Sequence, residues 1–419
     1  MSSLLITGGT LIDGFGGDPV PNPGIRVEGR NIEGVRAPSP ELRDTGRTTV
    51  IDATGRYITP GLIDGHVHLS MYQGALPGIR YTSSAEFSTL WSAHRLPTIL
   101  RAGVTSISVP GGKWFVDVNL RDAVDAGLLL GPRIFCAGRV LTPYGGIFDS
   151  VPPWETRTQA DAVGVLCNGA DEYVREVRRQ AKHNVNLIKV ADDYWGDVQG
   201  VSLEELSATV EEAHRHGIRV AIHSRGAGTT RTAAMAGVDW IFHADFATKV
   251  DLEVVAEKQV PIMPAFTQCY LRVERDGSGS ARQREQLEVN LEAIRLARSM
   301  GIEILVGTDT GNDVAYEFGR YHGREAGILV REVGLSPMEA LVANTRLNAR
   351  VVGLDGKVGA IAEGYLADIV LWDADPVADI EVIGDPAHVV TVIKDGDVVD
   401  RSAEAFLPLA DEPPKAPNR

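Results

Sequence analysis

The sequence predicts a (β/α)₈ barrel inserted into a small β-sandwich. Two observations carry this reading. Between Pro60 and about Gly356, short apolar, β-rich runs alternate with amphipathic helical segments, the pattern of parallel strands joined by helices. Strand-and-turn texture then appears at both ends of the chain, and neither end is long enough to bury a core alone. The chain therefore divides into residues 1–59 with 357–402 as the sandwich and 60–356 as the barrel. Residues 403–419, which carry Pro408, Pro413, Pro414 and Pro417, are expected to be a poorly ordered tail.

The elements follow in order. Ser3–Thr7 meets Gly8-Gly9, Gly24–Arg30 follows Pro21-Asn22-Pro23, and Val50–Ala53 precedes Thr54-Gly55. The barrel strands are expected at Leu62–His68, Thr105–Val109, Arg133–Ala137, Leu187–Val190, Arg219–His223, Trp240–His243, Pro261–Phe266 and Glu303–Thr308. Ala170–His183 and Leu203–His216 read as helices between them, the second opened by the capping-box spacing of Ser202 and Glu205. Ala367–Trp372, Val389–Lys394 and Val398-Val399, around the Asp395-Gly396 turn, supply the closing strands. A doubly wound open sheet is the alternative, but no early Gly-x-Gly-x-x-Gly phosphate turn supports it.

Composition narrows the function classes. The 41 basic and 56 acidic residues give a net charge of −15, which disfavours nucleic acid and anionic lipid as partners. No apolar stretch is long enough for a membrane span, and no secretory signal opens the chain. Cys136, Cys167 and Cys269 are odd in number and widely spaced, which fits unpaired thiols in a reducing, cytoplasmic setting. The expected partner is a small-molecule substrate, and a homo-oligomer is left open.

Five strand-ending segments stop on a coordinating side chain, and strand ends are where barrel sites lie. His66 and His68 are two apart, so in a strand they share a face and could supply half of a transition-metal shell. Hydrogen-bonded strand histidines are the bland alternative. His214-Arg215-His216 looks alike but sits at a helix end, where cationic groups favour the dipole. Lys189, aimed into a barrel, would lose its charge to desolvation and could take up carbon dioxide as a metal-binding carbamate. A salt bridge to Asp192 or Asp193 is the other reading. His223 and His243 end consecutive strands, as ligands or as satisfied core histidines. Asp309, in Gly307-Thr308-Asp309-Thr310-Gly311, is either a helix cap or a carboxylate that binds metal and accepts the proton of an attacking water. These segments together point to a metal-dependent hydrolase.

From Leu5-Ile6-Thr7-Gly8-Gly9-Thr10 to Lys394-Asp395-Gly396, and most specifically in Pro60-Gly61-Leu62-Ile63-Asp64-Gly65-His66-Val67-His68, the chain resembles the amidohydrolase superfamily. It is most similar to the imidazolonepropionase-like and prolidase-like group whose metal shell includes a carboxylated lysine. The resemblance implies two divalent metals, zinc foremost, with cobalt, manganese or nickel accepted by the same ligands. His66, His68 and Asp309 would hold the first, and His223 and His243 the second. Carboxylated Lys189 and a hydroxide would bridge them, with Asp309 shuttling the proton. The implied reaction is cleavage of an amide, peptide-like, carbamate or urea C–N bond. An ester or lactone hydrolase is the alternative, and a non-enzymatic binding or assembly relative is the alternative of another class.

The substrate-facing positions depart from that group. Arg225 stands two residues after His223, where dipeptidase-like members often carry tyrosine, and could bind a substrate carboxylate or pair with Asp245 or Asp309. Pro143-Tyr144-Gly145-Gly146-Ile147 lacks the histidine many relatives place after the glycine pair. Tyr144, Trp195 and Gln268 lie just past expected strand ends and are candidate pocket residues.

Overall fold

The computed structural model describes residues 3–36, 48–71, 84–149, 154, 162–192, 199–226, 228–275, 281–312 and 317–401, and forms a mixed α/β fold. The expected tail and Trp195 lie outside these residues. Leu62–Asp64, Val104–Val109 and Arg133–Cys136 form one parallel sheet. A second parallel sheet runs Gly164–Leu166, Val140–Thr142, Leu187–Ala191, Arg219–Ser224, Trp240–His243 and Ile262–Met263. Isolated parallel bridges link Ala137 to Leu187, Ile262 to Ile304 and Val67 to Thr310.

Three expected strands differ from the structure. Leu62–His68 shortens to Leu62–Asp64, and beyond it Val67 makes only an isolated parallel bridge to Thr310, so His66 and His68 lie on the extended segment past the strand end. Glu303–Thr308 is no ladder strand among the described residues, although its backbone is bonded on both sides. Leu305 N–H donates to Ile262 O at 2.8 Å, and Gly65 N–H donates to Val306 O at 3.1 Å. The reason is Asn348, whose side-chain oxygen accepts from Val306 N–H at 3.4 Å while its amide donates to Ile63 O at 2.7 Å, so it stands between the two segments. A side chain thus stands where ladder bonds would run. Pro261–Phe266 shortens to Ile262–Met263, and Phe266–Arg275 is a helix. The buried Glu325 carboxylate accepts from the N–H groups of Phe266 and Thr267, each at 2.7 Å. It satisfies two orphan donors of a helix start, so the chain turns helical there.

The helices follow their sequence signals. Leu203–Arg215 begins at Ser202 with the reciprocal Ser202–Glu205 capping box. His214 and His216 close it against Asp239 at 2.9 Å and Glu212 at 3.2 Å. Strand residues alternate between two apolar clusters. Ile188, Val220, Ile222 and Ile241 join the large cluster shared with the helices, whereas Leu187, Ala221, Trp240 and Phe242 join a smaller one. By the period of two, Lys189 and His223 share the face of Leu187 and Ala221.

The two chain ends meet. Ile369–Trp372 pairs antiparallel with Tyr57–Pro60 inside a six-stranded sheet, and Ser3–Thr7 lies in a separate four-stranded one. Leu4, Ile6 and Ile25 from the smaller sheet share an apolar cluster with Ile58, Ile369 and Leu371 from the larger. Cys136, Cys167 and Cys269 are unpaired. Among the described residues, no helix is long and apolar enough to cross a membrane.

Candidate active site

The first two histidines are set by a buried carboxylate. Asp64 Oδ1 accepts from the N–H groups of His66 and Thr308, both at 3.1 Å. Its Oδ2 accepts from Thr308 Oγ1 at 2.6 Å and lies 2.8 Å from His322 Nδ1. One side chain therefore ties the His66 segment to the Asp309 segment. Glycine lets the two come this close. A Cβ at Gly307 would lie 2.7 Å from His66 Cβ, and one at Gly311 would lie 1.9 Å from His68 O.

Three donor groups then converge. His66 Nε2 and His68 Nε2 are 3.1 Å apart. Asp309 Oδ1 lies 3.1 Å from His68 Nε2 and 3.4 Å from His66 Nε2. His68 Nδ1 lies 2.7 Å from Gly111 O and, donating to it, leaves the Nε2 lone pair for the cluster. Asp309 and His243 both adopt left-handed backbone, at φ 57° and 71°, a conformation that non-glycine residues hold mainly where surrounding structure enforces it. Burial holds the His66 imidazole well below its ordinary pKa, with Asp309 pulling the other way. Burial opposes ionisation of Asp309, but the attraction of His66 and His68 outweighs it and holds the carboxyl below its usual range.

Lys189, His223 and His243 border the same cavity as His66, His68 and Asp309, of about 320 Å³. The His223 and His243 rings are 4.5 Å apart, and His243 Nδ1 lies 3.3 Å from Pro264 O. Lys189 Nζ stands 3.5 Å from the centre of the Phe242 ring. Burial pushes its ammonium well below the ordinary range, partly offset by Asp309. No described carboxylate lies within ion-pair distance of Lys189; Asp192 instead accepts from Gly200 N–H at 2.6 Å. The His66, His68 and Asp309 donor atoms all lie within 4.8 Å of one another, a set that could hold a divalent cation.

Arg225 borders the cavity and is buried, and its Nη1 lies 3.0 Å from Asp245. Its Nε donates to His223 Nε2 at 3.2 Å. Asp245 also accepts from Asn290 at 2.6 Å and Gln286 at 3.3 Å, and Phe246 N–H donates to Arg225 O at 2.8 Å. The ends of the His223 and His243 strands are thereby clamped together. Gln268 borders the cavity, whereas Tyr144 is 69% exposed and is not among its lining residues. Arg272, Asn312, Met71 and Phe148 line it as well. Sequence reasoning missed these four; the only local signal was Arg272 lying one helical turn beyond Gln268.

Residues 57–399 match the family model described as the amidohydrolase family. The chain belongs to this family. The amidohydrolase is 26% identical to ochratoxinase of Aspergillus niger, over 94% of this chain and 85% of that protein. It is 25% identical to imidazolonepropionase of Cupriavidus taiwanensis, over 83% of each. Among solved structures, it superposes on a Xaa-Pro dipeptidase with bound methionine in the active site, with a TM-score of 0.84 and 26% identity over 95% of this chain and 99% of that one. These relatives make the chain a hydrolase of the amidohydrolase superfamily.

Proposed function

We propose that this hydrolase cleaves the C–N bond of an amide, peptide-like, carbamate or urea substrate at a binuclear metal centre. The observation that carries the reading is the gathering of His66, His68, Lys189, His223, His243 and Asp309 around one cavity. We read the parallel strands as one (β/α)₈ ring spanning residues 60–356, with these residues at its mouth. The terminal sheets, residues 1–59 and 357–402, read as the accompanying sandwich.

His66, His68 and Asp309 would hold one ion, His223 and His243 the second, and Lys189, as its carbamate, both. Zinc suits this donor set, and cobalt, manganese and nickel accept it too. When bound, such ions supply Lewis-acid polarisation of the scissile carbonyl and a water of lowered pKa. The protein's part is positional and acid–base. Asp309, ionised and wedged between two imidazoles, accepts the proton of the attacking water and passes it to the leaving nitrogen. Asp64 holds His66 in register with the Asp309 segment. The Arg225–Asp245 pair does the same for His223 and His243.

The test is elemental analysis of the purified chain, followed by hydrolysis of N-acyl amino acids, dipeptides, carbamates, aryl ureas and esters after metal loading. Close to two divalent ions per chain and cleavage of a C–N substrate are expected. Full activity with one ion or none would overturn the binuclear centre, and turnover confined to esters would overturn the bond assignment.

A further inference from the structure

Asp64 joins the His66 and Asp309 segments, and one of its partners is a side chain that the hydrolase reading does not use. Its Oδ1 accepts from two backbone N–H groups and its Oδ2 from the Thr308 hydroxyl. On the same Oδ2, at 2.8 Å, stands His322 Nδ1. A carboxylate only accepts, so the imidazole donates and Nδ1 carries a proton. His322 is 1% exposed, and its other nitrogen, Nε2, has no hydrogen-bond partner among the described residues. Leaving a buried polar atom unpaired costs stability, so a ring kept for packing alone would be better served by phenylalanine. The segment carrying His322 is closely packed on both sides of it. A Cβ at Gly319 would lie 2.6 Å from Thr98 Cγ2, and one at Gly323 would lie 1.9 Å from Ile383 O. The Phe318 ring runs parallel to the imidazole, within 9°.

We propose that His322 is a positioning residue for the metal centre, acting through Asp64 to set the spacing of His66, His68 and Asp309 and so their affinity for a divalent ion. This deepens the binuclear reading and rests on it. The transmission is a chain of hydrogen bonds. Nδ1–H of His322 fixes Oδ2 of Asp64, and Oδ1 then holds the N–H groups of His66 and Thr308. The next contacts reach the ligands: Asp309 N–H donates to His66 O at 2.8 Å, and His68 N–H donates to Thr310 O at 2.7 Å. The final torsion of an aspartate is soft, so without the imidazole the carboxylate can turn and release both Oδ1 contacts together.

The test compares wild type, His322→Phe and His322→Asn, each stripped of metal and titrated with zinc against a competing chelator. Melting of the metal-free proteins is measured in parallel. Phenylalanine keeps a ring beside Phe318 but donates nothing, whereas asparagine offers an amide N–H near the place of Nδ1–H. His322→Phe should bind zinc more weakly by about 10–100-fold, the usual effect of losing a partner behind a metal ligand, and His322→Asn should recover much of that loss. Unchanged zinc affinity in His322→Phe overturns the proposal, even if Tm falls, because a purely structural role would lower only Tm. An equal loss in both variants overturns it too, since the donor would then not matter. If His322→Phe does not fold, ¹⁵N-histidine spectra of the wild type decide: His322 is expected to be protonated at Nδ1, and a ring protonated at Nε2 alone overturns the proposal. A wild type that takes up no zinc removes the centre itself and this inference with it, whereas zinc uptake indifferent to His322 removes only the inference.

Discussion

Replacing Arg225 with alanine should destabilise the protein in a way that depends on pH and on Asp245. The pair is buried, with side chains 7% and 1% exposed and 3.0 Å apart. Removing the guanidinium leaves a buried carboxylate held only by the amides of Asn290 and Gln286. Breaking one partner of such a pair costs about 3–5 kcal/mol. A 419-residue chain has an unfolding entropy of roughly 0.9 kcal/mol/K, so Tm should fall by about 3–6 °C. Burial already raises the Asp245 carboxyl, and Arg225 is the main group pulling it back down. Without Arg225 the folded-state pKa rises further above the unfolded value. A carboxyl with a raised folded pKa contributes stability that is complete at low pH and lost as pH rises through that pKa. The gap between Arg225→Ala and wild type should therefore be smaller at pH 5 than at pH 8. In a double-mutant cycle, Asp245→Asn should remove most of the penalty of the arginine change. Scanning calorimetry of the four proteins at both pH values measures this. A Tm within 1 °C of wild type for Arg225→Ala would refute the clamp (about one kcal/mol at this size), as would a loss independent of both pH and Asp245.

Three further outcomes are expected. Lys189→Ala should lose metal on elemental analysis and regain part of its activity with added short carboxylates; unchanged metal content would remove Lys189 from the centre. Asp309→Asn should lower kcat by about 10²–10⁴-fold with a smaller change in substrate binding, and retention of kcat would leave the residue a structural cap. Glu325, the cap of the Phe266–Arg275 helix, is pushed up to about 7 by burial. Because the folded pKa is raised, its contribution is complete below about pH 4.5 and fades as pH rises through about 7, so wild-type Tm should drop across that window by a component that Glu325→Gln lacks. Parallel Tm profiles for the two proteins would assign that titration elsewhere.

The sequence by itself determined what local pattern controls. The Trp240–His243 strand and the Leu203–Arg215 helix stand where their apolar patterns placed them. The Ser202 cap was readable three residues from its partner Glu205. So was the pairing of His66 with His68 on one segment, because alternation in extended chain needs no knowledge of the rest of the molecule. What tertiary structure decided is what depends on residues far apart in sequence. Glu303–Thr308 reads as a strand, yet Asn348, 42 residues beyond Val306, takes the place of its ladder. Pro261–Phe266 reads as extended, yet the carboxylate of Glu325, 59 residues away, draws Phe266 into a helix. That one change turns Gln268 and Arg272 onto a shared helix face bordering the cavity. Likewise, Arg225 could serve substrate or scaffold by sequence alone, and the buried Asp245, itself held by Asn290 45 residues on, gives it a partner. Buried polar groups must find partners wherever the chain brings them, and that requirement is long-range, whereas the hydrophobic period is local.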